Sequence, residues 1–413
     1  MSRRPTLLLH LKPTLACGVT LLVAATVTAQ SPRSTTRPTS RLTELPMVSP
    51  FGLPLVKVAL QGSTPQWLSF DTGATQTIID RGWAEQLGFA IQDLGGSAQP
   101  GGRVQMGRFS GATMQLGGLD WPDRTFLAVA LEPIEDAVGR PIPGIIGYDL
   151  LQSFVVETDY AKRRMWLHDP ASFRYEGDGT ILEIEIKGTK PMMPVTLFKR
   201  DGSAVIANFT IDAGSTQAVS LAAHFYPSVL TPDQVAVPAR GWGFGGNQSR
   251  GLLLRIPRVE FGPYAFEEVS SHAVVADGTS GKRRWDGIIG GELLRRFNVI
   301  YDYSRGRMIL EPNDTLRDPL RESLTGMEFV AEGGGSKAVV VYTVYQGSAA
   351  DRAGVREGDL LGALNGKPVT SHELAWLWDR LRAGVGDEHH LRMRRGDAER
   401  HVALKLERLP LTH

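Results

Sequence analysis

Trp67-Leu-Ser-Phe-Asp71-Thr72-Gly73-Ala74-Thr75-Gln76 is echoed further along the chain by Phe209-Thr-Ile-Asp212-Ala213-Gly214-Ser215-Thr216-Gln217. In each, a β-favouring run of apolar and hydroxyl residues stops at an aspartate, and a glycine follows two residues later. Such a run is a strand delivering a carboxylate to a tight turn, where glycine lets the backbone pass close to a neighbour. A second shared element lifts the pair above coincidence. Gly144-Ile145-Ile146-Gly147 begins 73 residues after Asp71, and Gly287-Ile288-Ile289-Gly290 begins 75 residues after Asp212. From there the agreement runs on at a constant offset of 143 residues. Leu150-Leu151 matches Leu293-Leu294, Phe154 matches Phe297, and Asp159-Tyr160 matches Asp302-Tyr303. Arg164-Met165 matches Arg307-Met308, and Leu167 matches Leu310. One unit has been copied and joined in tandem.

Around this repeat the chain has 413 residues, 42% hydrophobic and 22% charged, enough for two or three domains with substantial cores. A net charge of +1 without basic blocks argues against nucleic acid as a partner. Residues 1–29 read as an export signal: Arg3 and Arg4, an apolar run to Val27, then small residues at Val27-Thr28-Ala29. The expected location is periplasmic or extracellular, and a retained helical or lipid anchor at Cys17 is the rival. Cys17 is the only cysteine, so a mature chain has neither disulfides nor a thiol nucleophile. Residues 30–46, rich in Ser, Thr, Arg and Pro, read as an extended linker. Residues 47–169 and 178–313 then form two mainly β units. Helix is expected only in short pieces, at Ile79–Leu87 and from Tyr148 and Gly291.

The Asp-Thr-Gly-Ala-Thr element after an apolar strand, with Gly-Ile-Ile-Gly before a Leu-Leu segment, resembles the retropepsin-like aspartic proteases over residues 48–312. The resemblance implies a mainly β fold of two lobes related by a pseudo-two-fold axis, each donating one aspartate, here fused in one chain. Asp71 and Asp212 are then the catalytic pair. Two carboxyls a few ångströms apart cannot both ionise, so they share a proton and supply the base that activates water and the acid that protonates the amide. Gly73 and Gly214 would let the two turns meet at the axis. The loop supports are Thr72, Ala74 and Thr75, Ala213, Ser215 and Thr216, with Gly144, Gly147, Gly287 and Gly290 beneath. In the family the hydroxyl residue after each aspartate braces the opposite loop. Thr72 can do so and Ala213 cannot, which removes about 1 kcal/mol of bracing. A Ser215 hydroxyl donating to Asp212 would favour its ionised form and leave the shared proton on Asp71. Family flaps are glycine-rich hairpins, and Gly101-Gly102 and Trp242-Gly243-Phe244 occupy the matching intervals, as flaps or as mobile surface loops.

Residues 318–408 change character. A short helix follows Gly347, Asn365-Gly366 marks a hairpin turn, and Thr370-x-x-Glu373 is a capping box opening a helix to about Arg382. This order resembles a PDZ domain of the bacterial type, an α+β module in which a peptide's end adds as a strand. Leu324-Thr325-Gly326-Met327 occupies the place of the carboxylate loop, with His372 at the start of the helix. The domain either captures peptide or is packed permanently on the protease. His389-His390 has no ligand partner at metal spacing, and no phosphate loop, Gly-x-Ser-x-Gly or His-Glu-x-x-His occurs. No metal or organic cofactor is expected. The reading is an exported aspartic endopeptidase acting on a peptide or protein substrate. Its alternative is a catalytically silent peptide-binding protein, kept open by Ala213.

Overall fold

The computed structural model describes residues 40–411, apart from 100–101, 233, 243–247, 277–284 and 333–337. Strands dominate it. The α-helices among the described residues are short: α1 (Arg81–Gln86), α2 (Glu132–Val138), α3 (Tyr148–Ser153), α4 (Gly291–Leu294), α5 (Ala349–Arg352) and α6 (Leu374–Arg380).

Each repeat builds the same core device. Gln66–Phe70 runs to Asp71 and lies parallel to Gly144–Ile146, with Phe70 opposite Ile146. Ala204–Asp212 lies parallel to Gly287–Gly290, with Asp212 opposite Gly290. Strands crossed in parallel are buried on both faces, which is why Phe70, Ile146, Phe209, Ile211 and Ile289 read as apolar runs and are fully buried or nearly so. The glycines of the two Gly-Ile-Ile-Gly elements keep equivalent company. A Cβ at Gly144 would lie 2.6 Å from Leu68 Cδ2, and one at Gly287 would lie 2.3 Å from Phe209 Cε1. At Gly147 and Gly290 it would meet the carbonyl oxygens of Gln76 and Gln217, at 2.6 and 2.2 Å.

The units join through one sheet. Val155–Asp159 pairs antiparallel with Phe297–Asp302, Asn298 facing Asp159 and Tyr301 facing Val156. Exchanging each residue for its counterpart 143 positions away maps this ladder onto itself, as a pseudo-two-fold axis requires. Arg164–His168 and Arg307–Pro312 flank it in a 13-stranded sheet, and unit two adds an 8-stranded sheet. The chain is thus mainly β, with two related lobes and an α+β domain behind them.

The linker expectation for 30–46 needs correction at its end. Arg41–Val48 is a strand against Arg164–His168, with Thr43, Leu45 and Met47 inside. The period-two alternation was concealed by the Ser/Thr/Pro composition around it. Ile79–Leu87 also splits: Ile78–Asp80 is a strand, and Asp80 caps α1 by accepting from the Trp83 N–H at 3.0 Å. Helix α2 was not expected, although Pro133 in its first turn and left-handed Gly139 at its end are ordinary helix boundaries.

The C-terminal domain is a 6-stranded sheet with Met327–Glu332 at an edge. Asn365 and Gly366 take φ of 49° and 79° in the turn between Leu360–Leu364 and Lys367–Pro368. The Thr370/Glu373 capping box is present, but its first turn is a 3-10 helix and α6 stops at Arg380. The connection from lobe two is not a loose tether. Fully buried Arg296 donates to the carbonyls of Thr315, Asp318 and Pro319 at 2.8, 2.7 and 3.0 Å. Buried Arg255 and Glu322 pair at 2.6 Å.

Candidate active site

The two strand ends bring Asp71 and Asp212 together. Each carboxylate accepts from the backbone N–H two residues on, Gly73 N–H to Asp71 Oδ1 at 2.6 Å and Gly214 N–H to Asp212 Oδ1 at 2.9 Å. The glycines allow the approach. A Cβ at Gly73 would lie 2.6 Å from Cγ of Asp212, and one at Gly214 would lie 2.3 Å from Cγ of Asp71. Any side chain at either position would displace the opposite carboxylate.

Thr72, fully buried, bridges the loops. Its Oγ1 donates to the Ile211 carbonyl at 2.7 Å and accepts from the Ala213 N–H at 3.0 Å. Ala213 is equally buried and offers no hydroxyl in return, so the bridge is one-sided. Thr77, absent from the sequence reading, repeats the pattern: its Oγ1 donates to Asp149 Oδ1 at 2.6 Å and accepts from the Gly147 N–H at 3.1 Å. Its counterpart in unit two is Ala218. Ala74 takes part through its backbone, its N–H donating to Asp71 O at 3.2 Å and its O accepting from Tyr148 N–H at 3.1 Å. Thr75 is exposed and Thr216 is half-buried.

The expected source of asymmetry, a Ser215 hydroxyl bond to Asp212, is not formed. Burial, then the Asp71 charge, then a hydrogen bond with Asp71 push the Asp212 carboxyl well above the usual range; Lys190 and the Gly214 N–H oppose this. Ser215 does not hold Asp212 ionised. Its side chain faces Gly290, where a Cβ would lie 3.0 Å from Oγ, and accepts from the Gln217 N–H at 3.4 Å. A group missed in the sequence is Tyr303, whose hydroxyl finds no partner among the described residues. Burial, then the charges of Asp71 and Asp212, raise it well above the ordinary tyrosine value, which locates it beside the pair. The repeated Asp-Tyr at 159–160 and 302–303 was its only signal.

Residues 56–150 match the aspartyl protease family, a span holding both Asp71 and Gly144–Gly147. Residues 340–395 match the PDZ domain. The chain carries an aspartyl protease domain and a PDZ domain. No curated protein matches it. The second lobe lies outside both matched spans and rests on the internal repeat and the shared sheet. Protease and PDZ domains together imply binding of peptide or protein.

Both flap expectations fall on hairpins. Gln92–Gln99 pairs with Gly102–Leu116, ending at Gln99 opposite Gly102, while Gly101 lies outside the described residues. Ala236–Trp242 pairs with Gln248–Phe261, ending at Trp242 opposite Gln248, with Gly243 and Phe244 outside the described residues. In the PDZ domain Leu324, Thr325, Gly326 and Met327 are all buried, and His372 is exposed. The Leu324 N–H donates to Leu381 O at 3.4 Å and the Met327 N–H to Thr325 Oγ1 at 3.3 Å, so two donors of that loop are already engaged.

Proposed function

We propose that the chain is an exported aspartic endopeptidase that hydrolyses peptide bonds through a water activated by Asp71 and Asp212. The observation that carries this reading is the mutual fit of Gly73 under Asp212 and Gly214 under Asp71, which has no use in two independent turn caps. The pair titrates as one unit, with the shared proton held on the Asp212 side. The Asp71 carboxylate takes a proton from water as its oxygen attacks the amide carbon, and Asp212 protonates the carbonyl oxygen. The tetrahedral intermediate collapses with cleavage of the C–N bond, the leaving nitrogen taking the proton gained by Asp71 while one hydroxyl of the intermediate returns its proton to Asp212 as the product carboxyl forms. The two hairpins would close over the bound strand, and residues 1–29 would direct export. Ala213, with its missing half of the brace, favours the second reading of a silent peptide binder. A peptide mimic carrying a hydroxyl at the scissile carbon separates them: binding that raises Tm and is lost in Asp71→Asn and Asp212→Asn supports the enzyme, while binding indifferent to both substitutions supports the binder.

A further inference from the structure

The PDZ domain presents Met327–Glu332 as an edge strand facing α6, the arrangement to which an extended peptide would add. That groove is filled. Its lining by Met327, Phe329, Leu374 and Leu381 includes a residue from outside the domain, Phe51 of lobe one, and the remaining cavity is about 20 Å³. That space holds about one water and no peptide side chain. The Phe51 ring meets Trp378 of α6 edge-on, centroids 5.7 Å apart at 80°. Helix α2 of lobe one packs on the same edge strand, and Val138 and Ile142 belong to the same buried cluster as Leu374, Leu377 and Leu381. At the end of α2, a Cβ on Gly139 would lie 2.3 Å from Ser371 O and 2.9 Å from Leu374 Cβ.

Both intruding segments touch elements that hydrogen-bond to the carboxylate loops. From α2 the chain passes through Ile142 to Gly144–Ile146, whose last carbonyl accepts the Asp71 N–H at 2.9 Å. Beside Phe51, Gly52 abuts Gly291: a Cβ on Gly291 would lie 2.8 Å from Gly52 O. Gly291 in turn donates its N–H to Ser215 O at 2.7 Å, within the Asp212 loop. Phe51 is held at φ 57°, a left-handed conformation costly for an aromatic residue and sustained by its surroundings.

We infer that lobe one occupies the PDZ peptide groove in place of a ligand, so that a peptide with an apolar C-terminal residue and a free carboxylate competes with Phe51 and α2. Its entry would release both supports of the aspartate loops. The inference rests on reading the PDZ domain as a peptide-binding module. It predicts weak apparent affinity in the native chain, reduced by the fraction of molecules open. The test uses the full chain in the Asp71→Asn background, so that the probe survives and binding is read whether or not the chain hydrolyses peptides. The probe is a fluorescein-labelled decapeptide pool ending in Leu, Val or Phe, with the C-terminally amidated pool as control. Phe51→Gly removes the ring while relieving the left-handed strain, and should tighten binding of the free-carboxylate pool at least tenfold. Equal affinities with and without Phe51, or no binding in either, would overturn the inference. Hydrogen exchange of the Phe51-containing chain is the second readout: saturating pool should speed exchange of amides 49–53 and 132–139 several-fold, and unchanged exchange with probe bound would overturn it too.

Discussion

The two lobes deliver the same carboxylate on the same strand but secure it differently. Lobe one uses hydroxyls, Thr72 across the interface and Thr77 to Asp149 and Gly147. Lobe two has alanine at both counterparts, Ala213 and Ala218. Its acid at the position of Asp149 is Glu292, which instead pairs with Arg295 at 2.7 Å and Arg296 at 2.9 Å and accepts the Arg321 N–H at 2.9 Å. In lobe two the acid anchors the connection to the PDZ domain, while in lobe one it braces the carboxylate loop. The pair survives because Thr72 alone serves both loops.

The comparison can be broken most severely at its shared element. Asp71→Asn and Asp212→Asn should each lower peptide hydrolysis by about 10³-fold or more, since both copies supply proton transfer. A loss confined to one variant would mean that the lobes do not contribute equally. Next in size is the exchanged acid. Glu292→Gln leaves Arg296 buried beside a neutral partner and should cost about 3–5 kcal/mol in denaturant unfolding. Asp149→Asn should cost only about 1–2 kcal/mol, the worth of hydrogen bonds from Thr77. The two acids also titrate in opposite senses: burial raises Asp149, whereas at Glu292 burial is outweighed by Arg295, the Arg321 N–H and Arg296 acting together, which lower it. Glu292 therefore adds stability above its unfolded value of 4.5, which is lost as pH falls through its lower folded value.

Smaller effects sharpen the picture. Thr72→Ala strands the Ile211 carbonyl and Ala213 N–H and should cost about 1–3 kcal/mol, while Ala213→Thr should recover about 1 kcal/mol by restoring the mirror brace. Thermal melts of the two variants and the double exchange read this directly. The smallest effect concerns protonation. Asp212, raised in the fold, binds its proton more tightly folded than unfolded, so its contribution falls as pH rises above 3.8 toward its folded value. Asp212→Asn should therefore melt higher than the native chain at pH 7, with the advantage gone near pH 3.

Much of this was legible from the repeat. The Asp and Gly positions, the Gly-Ile-Ile-Gly strands and the two-lobe β class all rest on steric rules that act within a few residues of the chain. Arg41–Val48 was hidden because a strand with Pro46 and a Thr-rich approach resembles a linker until its partner is known. The Ser215 bond to Asp212 was expected because the two are close in sequence, whereas the Ser215 side chain turns to Gly290. Tyr303 and Thr77 reach the site only through tertiary packing. Whether the PDZ domain captures peptide or packs on the protease stood open in the sequence; Phe51 lines the groove, and no local pattern could place a residue from position 51 against Trp378.

The central claim is that Asp71 and Asp212 act as one hydrolytic pair. Its most direct test is peptide-library cleavage from about pH 3 to pH 8 by the chain beside both Asp→Asn variants. The native chain should cleave, and each variant should cleave more slowly by about 10³-fold or more. A folded chain that binds peptides and cuts none of them at any pH would contradict it.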